Sequence, residues 1–372
     1  MRIAQFAVFF LVTQGIALAV HGYLASRLGV LGMPRIAAWS LLGPLWLAML
    51  AALVLSHSPV SHPLAKLLIW IGFAWMGSAF VLLVTGLLGQ LAAAIATRAG
   101  VLAAQPILTA IALAGGLVTC GWALFSALRA PEIHRIDIRI PGLPPEFEGY
   151  RIAHITDTHI SHMLSARWTR SLVERVNAER PDLVVHTGDL VDGPVSSLAA
   201  SVAPLGELTG PKYFVTGNHE AYSGMPAWTA EVRQLGFRVL DNESVDLYKD
   251  GAHIALAGVT DYNEGRFFPS HASDPQKALS HASPGVRILL AHQPRTALDA
   301  QQLGVSLQLS GHTHGGQIWP FHYLVRLQQP MNAGLAMVGK VQVFTSRGAG
   351  FWGPPLRLFA PSEVPIVVLH RD

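Results

Sequence analysis

The sequence predicts an α/β chain in two parts. A four-helix transmembrane region spans 1–130, a linker and first strand occupy 131–149, and an α/β domain follows over 150–372. Three observations predict this. No Asp or Glu occurs before Glu132, four long apolar stretches fill the first part, and from Arg151 onward short β-rich runs alternate with helical patterns.

The apolar stretches lie near 4–24, 36–56, 67–96 and 106–128, each reaching the roughly 20 residues needed to cross a bilayer. The run "LLGPLWLAMLAALVL" has no ionisable residue, where a packed soluble helix shows a polar stripe. Arg2 before the first run fits a cleavable signal peptide, but the run is long and three more spans follow, which favours a retained helix. Arg2, Arg27, Arg35, Lys66, Arg98 and Arg129 give this part a charge of +6. The rest of the chain holds all 23 acidic residues and the other 20 basic ones, a balance of −3. The pI of 9.1 therefore belongs to the membrane part and is no argument for nucleic-acid binding.

An even number of spans places both chain ends on one side. Arg2, Lys66, Arg129, Arg135 and Arg139 flank that side, against Arg27, Arg35 and Arg98 on the other, so the positive-inside rule leans to a cytoplasmic second domain. Cys120, the sole cysteine, lies in the fourth span and excludes an intrachain disulfide. The polar residues of the spans are mostly Gly, Ser, Thr and Gln, which suit helix packing better than an ion pathway. The spans read as an anchor.

In the second part "RIDIRI" reads as a short strand before a Pro/Gly-rich turn. Strands are expected at "YRIAHIT", "DLVVHTG", "KYFVTG", "HIALAGVT", "VRILLAH", "VSLQLSG", "VQVFTS" and "PIVVLH". Helices are expected at "SARWTRSLVERVNAE", "PVSSLAASVAPLGEL", "MPAWTAEVRQLG" and "PRTALDAQQLG".

Metal-ligand residue types gather just past five of these strands: "ITDTH" (Asp157, His159), "TGDLVD" (Asp189, Asp192), "TGNHE" (Asn218, His219, Glu220), "LLAHQ" (His292) and "SGHTH" (His312, His314). Ligands bind outside the carboxyl ends of strands in open α/β sheets, so these loops should share one rim. Glycine precedes the polar residue in three of them and permits close backbone approach. If the segments are extended, Asp157/His159 and His312/His314 each point to one side, about 6.6 Å apart. Asn218 and His219 are adjacent and should diverge. Two metals about 3.5–4 Å apart need about seven ligands with one bridging carboxylate, and Asp157, His159, Asp189, Asn218, His292, His312 and His314 fit that count. His154 and His186 lie within strands and are expected in the core, whereas Asp261, after another strand, is a turn residue or a neighbour of the site.

D-x-H, G-D-x-x-D, G-N-H-E, a lone His after an apolar strand, and G-H-x-H, in that order, resemble the calcineurin-like metallophosphoesterases over roughly residues 150–370. The tail "GHTHGGQIWPF…FTSRGAGFWGPPLRLF" resembles a membrane-attached branch of that family, with Arg347 a candidate phosphate contact. The resemblance implies a metallophosphoesterase-type β-sandwich flanked by helices. It implies that Asp157, His159 and His314 hold one metal, that Asn218, His292 and His312 hold the other, and that Asp189 bridges them. His219 would act near the leaving group as the catalytic residue, and Asp192 and Glu220 would orient ligands. The reaction implied is phosphoester or pyrophosphate hydrolysis by a metal-bridging hydroxide. Imidazole and carboxylate without thiolate suit Mn, Fe, Zn or Co.

The expected function is a multi-pass, membrane-anchored phosphohydrolase whose substrate is amphiphilic, for example lipid-linked. The aromatic loops 318–327 and 351–359 either rest on the bilayer or pack inside the protein. A nucleotide phosphodiesterase or nuclease is the alternative within the same chemistry, with nucleic acid disfavoured by the acidic balance. A non-enzymatic membrane binding module is the alternative outside it.

Overall fold

In the computed structural model, backbone is described for residues 2–56, 58, 62–101 and 104–372, and side chains from residue 11 onward. The chain divides into two compact units: one of helices, to which residues 353–358 also belong, and one holding 129–352 and 359–372.

The helical unit contains α1 (Arg2–Val30), α2 (Arg35–Leu55), α3 (Pro63–Arg98) and α4 (Ala104–Leu128). Three helices, α2, α3 and α4, are long and apolar enough to cross a membrane, against the four expected. The expected first span lies partly outside the described side chains. Within them α1 carries Gln14, His21 and Arg27, which make it more polar than the other three. Two of these polar groups are satisfied by other helices, since Trp46 Nε1 donates to Gln14 Oε1 at 3.3 Å and Trp75 Nε1 to His21 Nε2 at 2.9 Å. Small residues bring the helices together: a Cβ on Gly72 would lie 2.2 Å from the Ala48 carbonyl oxygen. Outward positions such as Ile36, Leu91, Ile111 and Val118 are apolar and exposed.

The second unit is an α/β sandwich of two six-stranded sheets, in order β1-β12-β2-β3-β4-β5 and β10-β11-β9-β8-β7-β6. The first sheet contains β1 (Glu132–Ile140), β2 (Arg151–Ile155), β3 (Leu183–His186), β4 (Lys212–Phe214), β5 (Arg238–Val239) and β12 (Glu363–Arg371). The second contains β6 (Glu243–Lys249), β7 (Ala252–Gly258), β8 (Arg287–Leu290), β9 (Leu307–Ser310), β10 (Gly334–Val338) and β11 (Val341–Thr345). All eight expected strands are present. The sequence reading lacked β5, β6 and β10, which lie towards the edges. β6, for example, reads "ESVDLYK", where the polar residues mask the alternation.

The helices are α5 (Ala166–Ala178), α6 (Val195–Val202), α7 (Asn218–Ser223), α8 (Met225–Gln234), α9 (Pro275–Leu279), α10 (Ala297–Ala300) and α11 (His322–Val325). Three of the four expected helices are α5, α6 and α8. "PRTALDAQQLG" instead forms a 3-10 turn and only the four residues of α10, too short for the continuous helix expected.

Alternation along the strands distributes the core. Ile152, Val185, Leu256, Ile288, Leu290, Leu307, Leu309 and Val367 fill the space between the sheets. Neighbours of opposite parity, such as Ala153 and Val184, pack under α5, α6 and α8 with Trp228 and Val232. Leu289 and Val343 pack under α9 and α10. Because most strands are buried on both faces, they read as continuous apolar runs. β2, β3 and β4 run parallel to one another, as do β8 and β9, so each group opens its loops at its carboxyl ends.

Candidate metal centre

Asp157 and His159 follow β2, Asp189 follows β3, Asn218 and His219 open α7 after β4, His292 follows β8, and His312 and His314 follow β9. All are buried or nearly so. Seven of these eight, all but Asn218, fall into three overlapping groups whose donor atoms lie within 4.8 Å of one another: Asp157–His159–His314, His159–Asp189–His219 and Asp189–His292–His312.

The paired residues reach inward by a route other than the extended one expected. Asp157 (φ 52°), His159 (φ 42°), Asp189 (φ 54°), His312 (φ 69°) and His314 (φ 50°) all lie in the left-handed region. β2 and β9 end at Ile155 and Ser310, and the turns beyond them, rather than strand pleat, aim the side chains. Such conformations cost non-glycine residues on the order of 1–2 kcal/mol each and concentrate where function requires them. The glycines of the motifs have steric reasons. A Cβ on Gly311 would lie 2.0 Å from Asp157 Oδ2, and one on Gly217 would lie 2.2 Å from Asp189 Oδ1.

Hydrogen bonds fix each donor. His292 Nδ1 lies 2.8 Å from the Thr187 carbonyl oxygen, and His159 Nδ1 lies 2.9 Å from Asp192 Oδ1. With Nδ1 so engaged, Nε2 of each ring faces the cluster. Nε2 of His159 stands 3.0 Å from His314 Nε2, and Nε2 of His292 stands 3.1 Å from Asp189 Oδ2 and 3.2 Å from His312 Nδ1. Nitrogen and carboxylate atoms this close need a proton or a cation between them. Asn218 Oδ1 is buried without a hydrogen-bond partner among the described residues. The donor set, of imidazole, carboxylate and one amide oxygen with no thiolate, fits divalent first-row transition cations.

The surrounding groups hold the ligands in place. The His312 amide donates to both Asp157 oxygens at 3.0 Å, and the His219 amide to Asp189 Oδ1 at 2.9 Å. Glu220 accepts from the amides of Gly217 (2.6 Å), Asp189 (3.0 Å) and Leu190 (2.8 Å), tying the loop after β3 to the start of α7. His219 Nδ1 stands 2.6 Å from Asp192 Oδ1.

Charges in the cluster bias one another. Burial opposes ionisation of Asp157, Asp189 and Asp192, yet the facing histidines outweigh it and hold all three carboxyls well below the usual range. Burial likewise opposes protonation of His292, and the Asp189 carboxylate outweighs it, pushing the ring up to about 10. His219 is pushed up to about 9 against burial by Asp189 and Asp192. Burial, then His292, lowers His312 to about 3, and burial, then Asp189, raises Glu220 to about 8. A net of acids stabilised by positive charge suits cations.

His154 and His186 are buried in their strands as expected, each lowered to about 3 mainly by burial. Asp261 is buried and accepts from Gln293 Nε2 at 2.9 Å, next to His292 in sequence. Arg347 pairs with Glu363 through Nε at 2.8 Å and through its terminal nitrogen. The loop 318–327 buries Ile318 but exposes Phe321, Tyr323, Leu324 and Leu327. In 351–359, Phe351, Leu356 and Leu358 are buried while Trp352 and Phe359 are exposed.

A family model described as calcineurin-like phosphoesterase matches residues 150–316. An uncharacterized metallophosphoesterase of Bacillus subtilis is 31% identical over 274 residues, covering 69% of this chain and 93% of that protein. The chain belongs to the calcineurin-like phosphoesterase family. An uncharacterized metallophosphoesterase of Campylobacter jejuni is 38% identical over 252 residues, 66% of this chain and 64% of that one. A zebrafish (Danio rerio) transmembrane protein with metallophosphoesterase domain is 34% identical over 276 residues, 71% and 63% respectively. The chain thus spans under two thirds of the length of these last two relatives.

Three features near the candidate metal-binding groups of this family member had no signal in the motifs. Gln317 (φ 51°) clamps Trp352, its Nε2 donating to the Trp352 carbonyl and its Oε1 accepting from the Trp352 amide, each at 2.9 Å. Gly350 has no room for a side chain, since a Cβ would lie 2.0 Å from the Thr158 carbonyl oxygen. Aromatic rings surround His219: Tyr222 at 5.2 Å and Trp352 at 6.2 Å between centroids.

Proposed function

We propose that this chain is a membrane-anchored, dinuclear metal-dependent phosphohydrolase that cleaves a phosphoester or pyrophosphate bond of an amphiphilic, lipid-linked substrate. The observation that carries the reading is the set of imidazole and carboxylate atoms standing 3.0–3.2 Å apart on four loops of a calcineurin-like phosphoesterase domain, with Asn218 on a fifth. Asp157, His159 and His314 would hold one cation, and Asn218, His292 and His312 the other, with Asp189 between them. When bound, such cations supply activation of water and neutralisation of charge on the phosphoryl oxygens. Glu220 and Asp192 keep the ligands oriented. His219 is held by its amide on Asp189 and by Nδ1 beside Asp192, which leaves Nε2 to carry a proton towards the leaving-group oxygen.

Three apolar helices support a multi-pass anchor, and a cytoplasmic domain rests on α1 crossing as well, which puts Arg2 on the side of Lys66, Arg129, Arg135 and Arg139. The exposed apolar side chains of 319–327 support an amphiphilic substrate met at a lipid surface. The test pairs elemental analysis with phosphodiester hydrolysis on the full chain and on Asp189→Ala. About two metals per chain are expected in the wild type, with metal and activity both lost in the variant. A folded wild-type chain that takes up no metal would sink the reading and favour a binding module.

A further inference from the structure

Beside His219 three aromatic side chains are exposed, with Arg266 next to one of them. Tyr222, Phe267 and Trp352 are 48%, 47% and 49% exposed, too open to be core and too apolar to be ordinary rim. Their rings form a connected set. Tyr222 meets the His219 ring edge-on at 5.2 Å, Phe267 meets Tyr222 at 5.4 Å, and Trp352 meets His219 at 6.2 Å. The three come from separate segments: α7, the turn after Glu264–Arg266, and the loop before Gly353. None belongs to a buried core cluster among the described residues. Trp352 is nonetheless held firmly, by the paired amide contacts from Gln317. Tyr222 is fixed by its place on α7, three residues after His219.

From this geometry we infer that Tyr222, Phe267 and Trp352 form an apolar wall that receives the non-phosphate group of the substrate, an alkyl chain or an aryl ring next to the phosphorus. The inference rests on the reading that a phosphoryl group is turned over at the metal-binding cluster. A substrate whose phosphate sits there has its remaining bulk beside His219, where the only surface offered by these three residues is aromatic. Aromatic faces take up apolar groups by burial and by edge or face contact. Binding energy gained there, away from the reacting atoms, is available for positioning the phosphate. A small hydrophilic phosphoester would leave the wall wet and gain nothing from it.

The test uses the full-length protein in detergent, reconstituted with manganese. Methylphosphonate, octylphosphonate and benzylphosphonate compete against one chromogenic phosphodiester. In the wild type, octyl- or benzylphosphonate should inhibit at least about tenfold more tightly than methylphosphonate, as burial of several methylene or ring carbons implies. Phe267→Ala and Trp352→Ala should each reduce that ratio to about threefold or less, with the methylphosphonate constant unchanged within about twofold. Phe267→Leu, which keeps apolar bulk, should retain most of the ratio. Tighter octyl binding identifies a chain, and tighter benzyl binding a ring. A wild-type ratio near one, or variants that keep the wild-type ratio, overturns the wall alone. A metal-loaded chain that neither hydrolyses the phosphodiester nor binds any of the phosphonates overturns the phosphohydrolase reading and the wall with it.

Discussion

In the helical unit Gly72 stands where a Cβ would lie 2.2 Å from the Ala48 carbonyl, and in the α/β unit Gly311 stands where one would lie 2.0 Å from the Asp157 carboxylate. The same steric rule serves different ends. The first contact joins two helix backbones, and the second presses a backbone against a carboxylate of the candidate metal centre. The backbone itself repeats the contrast. Ten described non-glycine residues have positive φ, and all lie beyond α4. Asp157, His159, Asp189, His312 and His314 are five of them, and Gln317 follows closely. One region stores its stability in close packing. The other carries a strain of several kcal/mol in total at about 1–2 kcal/mol per residue, a load comparable to the net stability of a domain. Bound cations would offset it.

The largest expected effect that could break this comparison is on activity. Gly311→Ala should lower phosphodiester turnover by about a hundredfold or more by displacing Asp157, as small misplacements of reacting groups do. Thermal unfolding of the helices, followed by circular dichroism in detergent, should hardly change. Near-normal turnover would show that the Asp157 position tolerates movement. The mirror variant, Gly72→Leu, should destabilise the helical unit by about 1–3 kcal/mol through overpacking while the folded fraction keeps its turnover number.

Metal removal sharpens the contrast next. Stripping cations with a chelator should lower the stability of the α/β unit by about 4 kcal/mol relative to protein holding cation at about a thousand times its Kd. The helical unit should show no shift. Hydrogen exchange of the two units, with and without chelator, checks this, and equal shifts in both would contradict the assignment of strain to one region.

Replacing Glu220 by Gln exchanges one of the two oxygens that accept from three amides for an NH2 group, which donates. It should cost about 1–3 kcal/mol of stability and lower kcat more than it raises KM, because it holds the loops and does not touch substrate. The smallest effect is on pH dependence. His154 has a folded-state value of about 3, below its ordinary 6.5, because burial disfavours its charged form. Below pH 6.5 the unfolded chain binds a proton that the folded chain refuses, so stability falls as pH drops from 6.5 towards 3 by about 1.4 kcal/mol per unit. His154→Gln should flatten urea midpoints between pH 6 and 5 by that slope, and an unchanged slope would place the effect elsewhere.

Much of the α/β unit was legible because its strands are buried on both faces, so "DLVVH" and "VRILL" stand out as apolar runs ending at polar motifs. β6 and β10 were not legible, because an edge strand with one wet face loses that signal. The cluster was legible as residue types in order. Its geometry was not, since left-handed turns at Asp157 and His314 follow from contacts over about 150 residues rather than from neighbours. Gly350 and Gln317 were invisible for the same reason: each acts on a residue distant in sequence. The aromatic wall lay hidden because Tyr222, Phe267 and Trp352 carry no spacing rule.

Residues 353–358 have a consequence for how this chain can be made and rearranged. They belong to the helical unit, with the Arg357 amide donating to the Ala123 carbonyl at 2.9 Å and Leu356 and Pro354 filling the space over Gly77. The last strand, β12, is therefore threaded after a return to helices synthesised more than 200 residues earlier. A ribosome must finish nearly the whole chain before either unit holds all its parts. A clean cut at residue 130 would separate residues 353–358 from the helices of their own unit. Recombination that swaps residues 1–130 alone would do the same.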